Sequence, residues 1–124
     1  MDRRSKLIVS LSLVALATVG FGTWAANAHT QTYQANLSIH YDKHAGTLWG
    51  HVGTSNFCQD GREITIHASG GGTVGSAVSG SNGMWSGVSV GSGSYYATVS
   101  ERHDTGYGHD HLCLAGQSTT VSVP

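Results

Sequence analysis

The chain is short of charge: Asp, Glu, Lys and Arg together make up 10% of its 124 residues. Three of the six cations, Arg3, Arg4 and Lys6, precede residue 7. From His29 onward there remain Lys43, Arg62 and Arg102 against Asp42, Asp60, Glu63, Glu101, Asp104 and Asp110, a formal charge of −3 with neutral histidines. No cluster of cations exists to neutralise phosphates, which excludes nucleic acid as a partner. The same shortage disfavours anionic membrane surfaces. Proline occurs once, at Pro124, so there is no proline-rich linker or ligand segment. No stretch repeats its apolar residues with a helical period, which argues against a helical bundle. Outside residues 7–26, no run is long and apolar enough to span a bilayer.

Catalytic patterns are missing too. Neither a nucleophile elbow nor His-Glu-x-x-His occurs, and no pair among the six carboxylates suggests glycoside chemistry. The glycine stretches are turns and not phosphate cradles, since no helix follows them. The expectation is a protein that is not an enzyme and needs no cofactor.

What is present begins with an export signal. Asp2, Arg3, Arg4 and Lys6 make a net-positive start, residues 7–21 carry no charge, and Ala26-Asn27-Ala28 is the small-x-small pattern cut by signal peptidase. An uncleaved anchor is the rival reading, but Ser10, Ser12, Thr18, Gly20, Gly22 and Thr23 dilute the apolar run. Residues 1–28 therefore read as a signal peptide cleaved after Ala28, and 29–124 as one secreted domain of 96 residues with no membrane attachment after cleavage. A domain this small buries only about 60–65% of the surface its unfolded chain exposes. Its two cysteines, Cys58 and Cys113, are 55 positions apart, and in an oxidising compartment they allow a single bridge. The chain-entropy model credits a loop of that length with about 4 kcal/mol.

Short alternating runs separated by glycine-bearing turns predict an all-β fold. The expected strands are 33–41, 47–53, 62–68, 73–79, 84–90, 95–101 and 118–123, with a polar loop over 102–111 before Leu112-Cys113-Leu114. Asn82-Gly83 is a hairpin-turn signal. The expected core is Leu37, Ile39, Leu48, Val52, Ile64, Ile66, Val88, Val90, Tyr95, Ala97, Val99, Leu112, Val121 and Val123. Trp85 is out of phase with Val88 and Val90, and a bulge near Gly87 would bring all three inside. About seven such strands make a two-layer, Ig-like sandwich with one disulfide.

Certain residues resemble a family. Leu48-x-Gly50-x-Val52, Cys58 and Arg62-Glu63-Ile64-Thr65-Ile66 come first. Ser79-x-x-x-Gly83-x-Trp85, Gly93-x-Tyr95-Tyr96-Ala97-x-Val99, Cys113 and Ser118-x-x-Val121-x-Val123 follow. Over residues 47–123 the chain resembles small transthyretin-like and carboxypeptidase-regulatory-like β-sandwich domains, in the two-cysteine form of bacterial secreted proteins. The resemblance rests on fold-determining residues and implies an accessory, binding or spacer module with no catalytic residues to transfer. The histidine-rich loop departs from the family pattern.

Eight histidines are many for so few charges. Neutral imidazole binds zinc or copper. His103, His109 and His111 on one loop could wrap an ion, with Asp104 or Asp110 ligating or orienting a ring. If Tyr41 faces Leu48 across the first two strands, then His40 faces Trp49 and Ser38 faces His51 on the outer face. That register makes His40, Trp49 and His51 a candidate surface patch for a metal or a flat ligand. Cleavage after Ala28 would leave His29 as a copper-chelating N-terminus. Asn36-Leu37-Ser38 fits a glycosylation acceptor, placed unfavourably in a strand. The expected function is binding or structural support outside the cytoplasm, toward an extracellular protein or small ligand. Metal binding through the loop is the first alternative; an inhibitor or adhesin acting through loops is the second.

Overall fold

The computed structural model describes residues 30–105 and 110–124. Every regular element there is a strand except one short 3-10 turn. The strands are β1 (Thr30–Tyr33), β2 (Asn36–Asp42), β3 (Thr47–Gly53), β4 (Glu63–Ala68), β5 (Thr73–Val78), β6 (Met84–Ser89), β7 (Gly93–Val99), β8 (Arg102–Asp104), β9 (Asp110–Cys113), β10 (Gly116–Gln117) and β11 (Val121–Val123), with the 3-10 turn at Asn56–Cys58. They form three sheets: β2-β3-β6, then β10-β7-β4-β5 with β11 also on β7, and a small ribbon β1-β9-β8. The first two stack as an all-β sandwich over one core.

That core follows from period-2 alternation. Leu37, Ile39, Leu48 and Val52 from one sheet meet Ile64, Ile66, Tyr95, Ala97, Val99 and Val123 from the other, all buried. The β2–β3 pairing matches the expected register at every position, from Leu37 opposite Val52 to Tyr41 opposite Leu48. Asp42 closes the connecting loop by accepting the backbone N–H groups of His44 (2.9 Å) and Ala45 (3.3 Å) on Oδ1, a local turn that short polar side chains favour.

The bulge on β6 is present. Leu48 faces Val88 and Gly50 faces Trp85, so three steps on β6 match two on β3. Gly87 sits in the bulge at φ 89°, which glycine adopts without penalty. Trp85 thereby turns inward and is 2% exposed, with Val88 beside it. Its indole lies on Gly50, where a Cβ would collide with the ring and with the Ser38 carbonyl. A small residue on β3 is what lets the large one in.

Several expectations are corrected. Residues 33–41 are not one strand: the chain leaves β1 at Tyr33 and enters a different sheet at Asn36. Asn82-Gly83 turns the chain, with Gly83 N–H donating to the Gly80 carbonyl at 2.8 Å, but it joins no hairpin. β5 pairs with β4 and β6 with β3, so the turn carries the chain from one sheet to the other. Turn chemistry alone does not choose between those two outcomes. The stretch 102–111 is not wholly loop, since β8 and β9 pair at its ends; polar strands carry no apolar alternation to announce them. Leu112 is not core, because in β9 it is His111 and Cys113 that turn inward while Leu112 stays half-buried. Val90 and Val121 pack on the core from its margin. The run 118–123 shortens to β11 because Ser118 is engaged otherwise, its Oγ accepting the Ala97 N–H at 2.8 Å.

Candidate functional site

Two places combine chemistry with a defined geometry. The first is the clasp around the disulfide. Cys58, ending the 3-10 turn, is bonded to Cys113 at the end of β9, and neither is exposed. Arg62 lies against them, 2% exposed. Its guanidinium donates to the carbonyls of Cys58 (2.8 Å), Ser100 (2.8 Å) and Leu114 (3.1 Å). Burial, and then the nearby positive charge of Arg102, hold its pKa below the ordinary arginine value. Arg102 tightens the same turn by donating to the carbonyls of Asp60 (2.7 Å) and Phe57 (3.2 Å), and it pairs with Asp104 at 3.3 Å. The His111 ring stacks on Phe57 at 4.2 Å and 10°, with Tyr33 alongside at 5.8 Å from His111. Donors aimed at carbonyls of three separate segments make this a structural clasp.

The β8–β9 pairing decides where the loop histidines point. Asp104 faces His111 and His103 faces Leu112. Directly opposed residues share a face and neighbours alternate, so His103 and His111 project from opposite faces of the ribbon. His111 is buried toward Phe57; His103 is exposed and reaches Asp110 at 3.8 Å. His109 and His29 lie outside the described residues. Among the described residues no group of three or more His, Cys, Asp or Glu side chains is placed to hold a metal ion.

The second place is the outer face of β2-β3-β6. His40 and Trp49, directly opposed in register, stack at 4.4 Å and 29°. His51 is their diagonal neighbour but turns away: its Nε2–H donates to the Asn82 carbonyl at 2.9 Å. Its backbone N–H donates to Ser38 Oγ at 3.0 Å. The patch is therefore a stacked imidazole–indole pair flanked by a tethered histidine, and His40 and His51 do not converge. A similar pair lies on the other sheet. His67 and Tyr96 stack at 4.9 Å and 17°, with His67 Nε2 2.8 Å from Thr98 Oγ1. The alternation of β4 and β7 carried the signal, but only the pairing of those strands brings the rings together. Arg62 was likewise legible only as one of three cations beside an Asp-Gly turn. Asn36, the candidate glycosylation acceptor, is exposed at the start of β2.

No family model, no curated protein and no solved structure matches the chain.

Proposed function

We propose that the chain is a non-enzymatic, exported β-sandwich domain whose role outside the cytoplasm is binding, through the outer face of β2-β3-β6. The observation that carries this reading is Trp49. The core already contains a tryptophan, Trp85, at 2% exposure. Trp49 is a second large ring, held half-exposed on the opposite side of the same sheet with His40 stacked on it. Such rings dominate recognition surfaces because they offer large rigid area at low entropic cost. Export is supported by the charged start, the apolar run and Ala26-Asn27-Ala28 at residues 1–28. It is supported also by a buried disulfide, a bond that persists in oxidising compartments. No helix among the described residues is long and apolar enough to cross a membrane. The resemblance to transthyretin-like and carboxypeptidase-regulatory-like modules supports an accessory role in the same direction.

The test compares wild-type chain with Trp49→Ala on insoluble extracellular material from the producing organism. Wild type is retained, and W49A is released at least about tenfold more readily with an unchanged melting temperature. Equal retention of the two overturns the assignment of this face. The alternative, transition-metal binding by His103, His109 and His111, is weakened by the opposite faces from which His103 and His111 project. Titration with Zn²⁺ or Cu²⁺ separates the two, since a bound metal releases heat and raises the melting temperature.

A further inference from the structure

The bulge that turns Trp85 inward also shapes the face opposite it. Between the pairs Leu48–Val88 and Gly50–Trp85, Trp49 on β3 faces two residues on β6, Ser86 and Gly87. His40 covers the Trp49 ring from the β2 side. A cross-strand stack with rings nearly parallel has its second free face turned to the strand beyond, which here is β6. Nothing tall stands directly opposite Trp49; the exposed Met84 lies further along β6, opposite His51. Ser86 is exposed and small, and a Cβ built at Gly87 would meet no atom within 4 Å. One wall of indole thus rises beside a floor of bare backbone. Thr47 and Ser89, paired with each other, supply hydroxyls at one end of this shelf. A bulge leaves its extra residue out of the hydrogen-bond ladder, and β6 is the last strand of its sheet. Main-chain donors and acceptors therefore add to the hydroxyls.

We infer that this shelf takes one ring of a neutral polysaccharide, an inference that rests on the reading of this face as the binding surface. The chemistry favours a sugar on three counts. The C–H face of a pyranose is apolar and stacks on an aromatic wall, while its edge hydroxyls need the mixed donors and acceptors that Ser86, Ser89, Thr47 and the bulged backbone present. Charge agrees: no Lys or Arg stands on the strands of this face, and Asp42, at the end of β2, is its one carboxylate. Lys43 follows Asp42 in the connecting loop, off the strands; the strands themselves offer an acidic glycan no lysine or arginine, so the complementary ligand is uncharged. Along the strands the shelf runs between the His51–Met84 pair at one end and the Thr47–Ser89 pair at the other.

The experiment uses the protein recovered from the culture medium and soluble hexasaccharides of neutral glucans, mannan and xylan, with oligogalacturonate as the acidic comparator. Binding is read by calorimetry and by tryptophan emission, for which buried Trp85 is the internal reference. At least one neutral hexasaccharide binds at millimolar concentration or below and shifts the emission. W49A and Ser86→Tyr, which fills the shelf from an exposed position, each weaken it at least about tenfold. Far-UV circular dichroism and the melting temperature confirm that both variants fold. Binding that survives Ser86→Tyr overturns the shelf, and preference for the acidic oligomer overturns the ligand class. If no neutral oligomer binds while extracellular material is still retained through Trp49, the sugar assignment falls and the binding face stands. If neither occurs, both fall.

Discussion

At the residue scale Arg62 sets the tightest constraint. A charge at 2% exposure is costly, and the lowered pKa of its guanidinium is the signature of that cost. What offsets it is the set of carbonyls at Cys58, Ser100 and Leu114, which have to be satisfied once buried. Arg62→Met keeps most of the stem volume and removes the donors. Each abandoned acceptor costs about 1–3 kcal/mol, partly offset by no longer burying a charge, so the net loss is about 2–4 kcal/mol. Denaturant unfolding measures it, and Arg62→Lys recovers part because an ammonium cannot span the fork. This role was not legible in advance: the three carbonyls come from parts of the chain up to 52 positions away. Trp85 was legible, because its phase against Val88 conflicted with a small core that needs its area.

At the element scale the register of the β2–β3 hairpin was legible, though not the residue at which β2 begins. Two alternating strands joined by a short loop leave one register that buries Leu37, Ile39, Leu48 and Val52 together, and a one-residue slip would turn the apolar pair of one strand outward. The same register placed His40 against Trp49. Gly50 is the hinge of this arrangement, since the strand carries an indole on it from inside. Gly50→Ala is expected to destabilise the fold by about 2–3 kcal/mol, because the added methyl meets a backbone carbonyl as well as the Trp85 ring and only the ring can give. Thermal unfolding checks it; a neutral effect would show that Trp85 does not rest on β3. The polar strands β8 and β9 were not legible, and with them went the directions of His103 and His111. A row of polar residues gives no clue to which face is inner, so a three-histidine loop reads as convergent until pairing separates it.

At the scale of the whole molecule the disulfide replaces part of the interior that so short a chain cannot build. It joins the 3-10 turn before β4 to β9, 55 positions on, and so ties the small ribbon to the sandwich. The double variant Cys58→Ser/Cys113→Ser is expected to lose about 4 kcal/mol, most of a small domain's margin. The Arg62 and Arg102 bonds to the same turn keep the residual fold native-like. Denaturation of the variant beside wild type measures the loss, and a difference below about 1 kcal/mol would place the stability of the clasp in the arginines instead. Composition and two-residue periodicity by themselves determined the all-β class, most of the core, the cysteine pair and one full strand register, because alternation, turn glycines and thiol count are local properties. Only the tertiary structure decided which strands share a sheet, which histidines share a face, and where a lone arginine is spent. Those depend on contacts between segments far apart in the chain, and no local pattern encodes which distant carbonyl or ring will arrive.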